Sequence, residues 1–352
     1  EREAARPLID LASNDYLGLS RHPALIRAAE MAMTIDGVGA GASMFITGSR
    51  PIHKELEDAL ADWIGQESVL LFPSGFQANL AAVIALADRN TIVIADKLIH
   101  HSLLVGVKAS GAKLKRFAHN DVNELKRHLT HIRDHHAKKK VVVITESLFS
   151  MEGTSPPIEK IGQICAHFEA ALLVDEAHAL GVIGPQGKGL CHDLTYSPKI
   201  ISGTFGKAFG SGGAFLASNN KIREELIQAS GSFRYTTALA PPLAAAALAS
   251  LKLMQANPHW SFELQEKATQ WRSTLEKEGW PRPPGNGPIL SLIIGEDQAT
   301  LNLQNRLETA GLLCVAIRPP TVPEGSARLR LVLRRGLPDE TLERLVNGLK
   351  QP

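Results

Sequence analysis

Ala171-Leu172-Leu173-Val174-Asp175-Glu176-Ala177-His178 is a short apolar run that ends in charge, and Ile200-Ile201-Ser202-Gly203-Thr204-Phe205-Gly206-Lys207-Ala208-Phe209-Gly210 repeats the pattern with a lysine at its end. Short β-branched runs of the same kind occur at Val69 to Phe72, Ile92 to Asp96 and Val141 to Thr145, with amphipathic stretches between them. The alternation predicts an α/β fold whose mostly parallel sheet is covered by helices on both faces. Helices are read over His53 to Ile64, with Gly65 as a cap, over Gly75 to Leu86, over Val122 to His131, and over the Ala-rich Pro241 to Gln255. Near Asn257-Pro258 the character changes.

A smaller C-terminal α+β domain is expected over 259–352, after a large domain over 14–258 and an N-terminal segment over 1–13. The small domain is read as helix Phe262 to Gly279, a Pro/Gly-rich loop Pro281 to Pro288, strand Ile289 to Ile294, helix Thr300 to Ala310, strands near Leu313 to Ile317 and Arg328 to Leu333, and a closing helix from Pro338 to Lys350. The chain begins at Glu1 without a methionine, so a preceding N-terminal segment is expected.

Bulk composition narrows the function. The 352 residues carry 44% hydrophobic content, ample for a large core, and a net charge of +2, which gives no case for a nucleic-acid or membrane partner. The basic run Lys138 to Lys140 reads as a solvated loop. Three separated cysteines, Cys165, Cys191 and Cys314, indicate neither a disulfide framework nor a metal site and fit a reducing cytoplasm.

Open parallel sheets bind ligands at the carboxyl ends of their strands. Four such ends should line one crevice: Pro73-Ser74-Gly75-Phe76, Glu146 to Gly153, Asp175 to His178, and Gly203 to Lys207. A lysine desolvated in a small-residue loop has a lowered pKa and suits imine formation, although a solitary Lys207 would read as an exposed loop residue. Neither Lys207 nor Lys188 stands in a P-loop pattern. Asp175 ends a buried strand and requires a cation; a protonated pyridine nitrogen qualifies, with a structural ion pair or a magnesium site as the alternatives. His178 can face the same crevice and reach a phenolic oxygen.

Ser74, Gly75 and Phe76 open a helix whose free amides attract a phosphate, and Thr204 adds a hydroxyl. An imidazole of His100-His101 can stack on a planar ring; zinc is disfavoured for adjacent histidines without a third ligand. Gly37-Val38-Gly39-Ala40-Gly41 has no strand before it, so close approach to a ligand or a neighbouring subunit is preferred over dinucleotide binding.

Together these residues resemble the α-oxoamine synthase family of fold-type-I pyridoxal-phosphate enzymes, and the likeness runs from Ser13-Asn14-Asp15-Tyr16-Leu17-Gly18-Leu19 to the C-terminal domain. It implies pyridoxal 5'-phosphate as cofactor, Lys207 as Schiff-base lysine and proton shuttle, Asp175 as pyridinium partner, His178 at the phenolic oxygen and His100 on the ring. Ser74, Gly75, Phe76, Ser150 and Thr204 complete the cofactor contacts, and Thr237 reaches the phosphate of the other subunit of a homodimer. Asn14, Arg318 and Thr321 lie at the substrate, with Arg318 taking the amino-acid carboxylate. Phe117-Ala118-His119-Asn120-Asp121-Val122 and Ala316 to Pro323 imply, within the family, decarboxylative condensation of L-alanine with a pimeloyl thioester of coenzyme A or carrier protein. A sister activity on glycine and a short acyl-CoA, or a catalytically silent cofactor-binding homologue, are the alternatives. Ala179-Leu180 departs from the family, where a small hydroxyl residue commonly follows the histidine.

Overall fold

The computed structural model describes residues 7–350. In chain order, strand β1 spans Ile9–Asp10, β2 Ser68–Phe72, β3 Ile92–Asp96, β4 Lys113–Phe117, β5 Val141–Glu146, β6 Ala171–Asp175, β7 Ile200–Thr204 and β8 Ala214–Ser218. The last seven of these form one sheet in the order β2-β8-β7-β6-β5-β3-β4, in which β8 alone runs antiparallel to its neighbours. Side chains of a strand alternate between faces, and the core divides accordingly. Val69, Leu71, Ile92, Ile94, Val141, Val143, Leu172 and Val174 join one apolar cluster. Leu70, Phe72, Val93, Ala95, Val142, Ile144 and Leu173 join the other.

Two strands of this sheet escape a reading by apolar runs. Edge strand β4 carries Lys113, Lys115 and Arg116, charges that blunt an edge against further pairing. Strand β8 is a five-residue buried run next to Gly212 and Gly213, without the β-branched residues that mark its neighbours. Helix Pro23–Asp36 was likewise not anticipated; its signals are Pro23 in the first turn and His22, whose imidazole caps the Ala24 amide at 3.2 Å. Helix Val122–His135 extends one turn beyond the expected end.

The second group of strands is β9 Ile289–Gly295, β10 Leu312–Leu313, β11 Val315–Ile317 and β12 Ala327–Val332. Strands β11, β12 and β9 form an antiparallel sheet in that order, flanked by helices Trp260–Lys277, Asp297–Thr309 and Thr341–Leu349. The stretch expected as a single strand over Leu313 to Ile317 is two, separated at Cys314. Buried Arg272 organises the Pro/Gly-rich loop by donating to the carbonyls of Pro283, Pro284, Gly287 and Ile289. The N-terminal strand β1 belongs spatially to this group: it pairs in parallel with β10, and the Val332 amide donates to the Leu11 carbonyl at 2.8 Å.

One buried carboxyl gives the fold a pH signature. Glu57, on helix Pro51–Ile64, is 7% exposed, and its Oε1 has no hydrogen-bond partner. Burial pushes its pKa from 4.5 to about 7, against opposing contributions from Arg223, the Leu71 backbone and Lys54. Between those two values the unfolded chain has released a proton that the folded chain retains. Stability therefore falls as pH rises through that window and is flat above it, by a total on the order of 3 kcal/mol. Urea unfolding of cofactor-free protein at pH 5 and pH 8 should show wild type losing about this much more than Glu57→Gln; parallel losses in both would refute the assignment.

Candidate active site

The carboxyl ends of β5, β6 and β7 bring the crevice together. Asp175 ends β6 and is 6% exposed; its Oδ2 accepts from Asn79 Nδ2 at 2.7 Å and its Oδ1 from the Ala177 amide at 2.9 Å. Among the described residues no cation forms an ion pair with it. A buried carboxylate with two neutral donors and no counter-ion is a seat for a positively charged group. Glu146 ends β5 in register with Asp175, and its Oε1 accepts from the His100 amide at 2.5 Å. Burial and then the adjacent Asp175 charge hold the Glu146 carboxyl well above its ordinary pKa.

Lys207 follows β7 in the tight loop Phe205 to Gly210, closed by the Gly210 amide on the Lys207 carbonyl at 2.9 Å. Burial lowers its pKa from 10.5 to about 8, Asp175 and Glu146 oppose that shift, and Arg330 adds to it. The amine is thus within reach of both protonation states near neutrality.

Two histidines of the site are held neutral. His178 is buried, and burial, followed by Lys207, Arg330 and His100, lowers its pKa well below the usual value. Its Nδ1 lies 2.6 Å from the Tyr16 hydroxyl. His100 caps helix His101–Ser110, with Nδ1 2.7 Å from Ser102 Oγ, and burial lowers its pKa against the pull of Asp175.

At the other end of the crevice Ser74 caps helix Gly75–Leu86 through the Gln77 amide at 3.3 Å. The amides of Gly75 and Phe76 have no acceptor among the described residues. A Cβ built on Gly75 would stand 3.9 Å from Thr204 Oγ1, so the hydroxyl and the helix N-terminus face one space. The two free amides offer donors to an anion there, while the Thr204 hydroxyl itself donates to the Gly213 carbonyl at 3.0 Å.

Arg330, on β12, was not singled out from the sequence, yet it is the cation of the site. Only 7% exposed, it donates from Nε to the Ser150 carbonyl at 2.6 Å and from Nη2 to Asn14 Oδ1 at 2.9 Å. It forms no ion pair among the described residues. The available signal was alternation: Leu329 and Leu331 take one face of β12, and the arginines at 328 and 330 take the other. Asn79 was missed as well, whereas Glu146 and Tyr16 stood within the stretches Glu146 to Gly153 and Ser13 to Leu19 without a role of their own. By contrast Arg318, Thr321 and Thr237 are exposed on this chain, and no side-chain contact joins them to Asp175, His178 or Arg330.

The lowered lysine is directly measurable. At pH 8 about half the Lys207 amines are uncharged, against roughly one in three hundred of ordinary lysines. Limited reductive methylation of cofactor-free protein should therefore mark the Lys207 peptide first. Asp175→Asn should move its labelling profile to lower pH, because the carboxylate favours the ammonium form. A profile matching that of surface lysines would contradict this account.

The fold and these residues have known counterparts. The profile of the aminotransferase class I and II family matches residues 6–349. A protein of Photobacterium profundum named 8-amino-7-oxononanoate synthase is 39% identical, over 98% of this chain and 88% of its own length. One of the same name from Klebsiella pneumoniae is 40% identical, over 99% and 90%. Among solved structures, Sphingomonas wittichii serine palmitoyltransferase superposes with a TM-score of 0.92 at 28% identity, over 97% of this chain and 86% of that one. The Francisella tularensis 8-amino-7-oxononanoate synthase does so with a TM-score of 0.81 at 29% identity, over 97% and 96%. An acyltransferase by these relationships, the chain belongs to the aminotransferase class I and II family and, within it, to the group of the 8-amino-7-oxononanoate synthases.

Proposed function

We propose that this enzyme binds pyridoxal 5'-phosphate and condenses L-alanine with a pimeloyl thioester, releasing carbon dioxide and the thiol and forming 8-amino-7-oxononanoate, a step of biotin synthesis. The observation that carries the proposal is the set Lys207, Asp175 and Arg330 in one buried crevice: an amine with a pKa of about 8, a carboxylate without a counter-ion, and a guanidinium without a carboxylate. The residues fit the cofactor. Asp175 supplies the partner for a pyridinium nitrogen, His178 a neutral imidazole for the phenolic oxygen, and the Gly75 and Phe76 amides the donors for a phosphate, with the Ser74 and Thr204 hydroxyls beside them. When bound, the cofactor supplies an electron-accepting ring for charge that develops at the amino acid's α-carbon.

The chain's own residues account for the rest. Lys207 Nζ, free as a base in a large fraction of molecules near pH 8, takes the α-proton and later returns one. His178 remains a neutral donor, since burial holds its pKa well below the usual imidazole value. His100 and Ser150 border the cofactor and Asn14 the substrate. Arg330 holds the alanine carboxylate in the present reading, while the family resemblance assigns that role to Arg318, with Thr321 beside it. A charge-assisted pair contributes about 1.5–3 kcal/mol, so Arg330→Leu should weaken alanine roughly 10- to 150-fold with cofactor binding nearly unchanged. Should Arg318→Leu produce that loss instead, the carboxylate belongs at the turn after β11.

The active site is shared across a homodimer. Phe45 and Tyr235, 49% and 83% exposed, both lie against the Arg234 guanidinium, and the adjoining Thr236 accepts from Gln77 at the start of helix Gly75–Leu86, so exposed apolar surface beside the helix start supports a second copy there. The Ala238 amide bonds to the Ala42 carbonyl at 2.9 Å, tying the two segments of that face together next to Thr237. Mixed dimers of Lys207→Ala and Thr237→Ala chains should regain activity at limiting cofactor, because a trans contact gathers both defects into one site. Verified hybrids without recovery would exclude a shared site.

Mass spectrometry of a reaction containing alanine and pimeloyl-CoA tests the activity, with glycine plus acetyl-CoA and serine plus palmitoyl-CoA run beside it. Borohydride should fix pyridoxal phosphate to the Lys207 peptide. A product only from the glycine or serine pair, or the label on another lysine, would defeat the proposal.

A further inference from the structure

Asn79 lies on helix Gly75–Leu86, inside the fold, and is 4% exposed. Its amide nitrogen donates twice, to Asp175 Oδ2 at 2.7 Å and to Ser102 Oγ at 2.9 Å, while its Oδ1 is buried without any partner. The orientation of the amide is fixed by charge. Turned over, the oxygen would face the Asp175 carboxylate. An asparagine that leaves its acceptor unsatisfied in the interior is retained for its two donors.

The second donor has a chemical consequence at His100. Ser102 is fully buried, and its Oγ, having accepted from Asn79, has one proton left to give. His100 Nδ1 lies 2.7 Å from that oxygen and 3.3 Å from the Ser102 amide nitrogen, a group that can only donate. Nδ1 therefore accepts both bonds, and the ring proton sits on Nε2. On the backbone side, the His100 amide is tied to Glu146 Oε1. The groups that act electrostatically on the imidazole are Asp175, Lys207 and His101.

We propose that Asn79 and Ser102 are positioning residues: one amide bridges the Asp175 carboxylate and the Ser102 hydroxyl, and the hydroxyl proton fixes His100 as its Nε2–H tautomer. A single chain of hydrogen bonds, Asp175–Asn79–Ser102–His100, thereby sets both the carboxylate that seats a charged ring nitrogen and the imidazole beside the cofactor. The relay rests on the reading of Asp175 and His100 as cofactor groups only for its purpose; its existence is testable without the cofactor.

Histidine-selective 15N labelling with long-range proton–nitrogen correlation, assigned by loss of the His100→Asn signal, reports the tautomer in cofactor-free and cofactor-loaded protein. Wild type should show one neutral Nε2–H form. Ser102→Ala, which removes a single oxygen, should give averaged shifts of two tautomers, and Ser102→Thr should restore the single form. Asn79→Asp, which loses both donors and sets a second carboxylate against Asp175, should raise the Kd for pyridoxal phosphate in equilibrium dialysis about tenfold or more. A mixed tautomer in wild type, or an unchanged single form in folded Ser102→Ala, would overturn the relay. A shifted tautomer with an unaltered cofactor Kd in Asn79→Asp would leave the relay standing and remove the assignment of Asp175 to the cofactor.

Discussion

The site depends on a carboxylate placed where the fold gives it no cation. Asp175 ends a strand buried in the middle of a seven-stranded sheet, and the neighbouring strand ends in a second carboxyl, Glu146, at the same level. Two such groups side by side in a low dielectric oppose each other's ionisation, and burial with the Asp175 charge raises the Glu146 pKa well above its ordinary value. The charge on Asp175 is met by neutral donors from Asn79 and Ala177. These hold its direction without cancelling it, so the fold carries an unbalanced negative charge that a cationic ligand stabilises.

Positive charge is distributed by the same means. Burial strips it from His178 and His100 and lowers it on Lys207, leaving Arg330 as the permanent cation of the crevice. Neutral histidines, a lysine poised between its two forms and a permanently charged arginine leave Arg330 as the fixed attraction for an anion. Lys207 meanwhile lies between opposing influences, with burial and Arg330 favouring the free amine and Asp175 and Glu146 favouring the ammonium. An amine balanced in this way changes protonation at little cost, as a group that both gives and takes a proton requires.

Apolar runs made the parallel core legible, because β3, β5, β6 and β7 are buried on both faces and need no alternation to be seen. Strand β4 was hidden by its edge charges, β8 by its lack of β-branched residues beside Gly212 and Gly213, and β1 by having only two residues and a partner about three hundred positions away. The same division holds in the site. Lys207, Asp175, His178 and Ser74 to Phe76 end strands or begin helices, where polar residues are conspicuous in a sequence. Arg330 and Asn79 sit within regular elements, and their importance lies in contacts to Asn14 and to Asp175 and Ser102, which no local pattern records. Thr237, Arg318 and Thr321 are exposed on this chain and make no side-chain contact with Asp175, His178 or Arg330.

The segment from Ile9 to Leu19 explains how distant parts act as one site. Its start pairs with β10, the Leu11 carbonyl accepts from Val332 at the end of β12, and the Tyr16 carbonyl accepts from the Arg335 amide. Its middle faces the other way: Asn14 meets Arg330, and the Tyr16 hydroxyl meets His178 on the large sheet. Arg330 also acts on the Tyr16 hydroxyl through its charge. The Tyr16 hydroxyl lies 2.6 Å from His178 Nδ1 and 3.3 Å from Asn14 Oδ1, the atom that Arg330 Nη2 also reaches. A histidine on β6's loop is thus joined to an arginine on β12 through a tyrosine and an asparagine that belong to neither sheet. Docking of this short segment is therefore part of the chemistry of the site, because without it the two sheets would carry their charged groups separately.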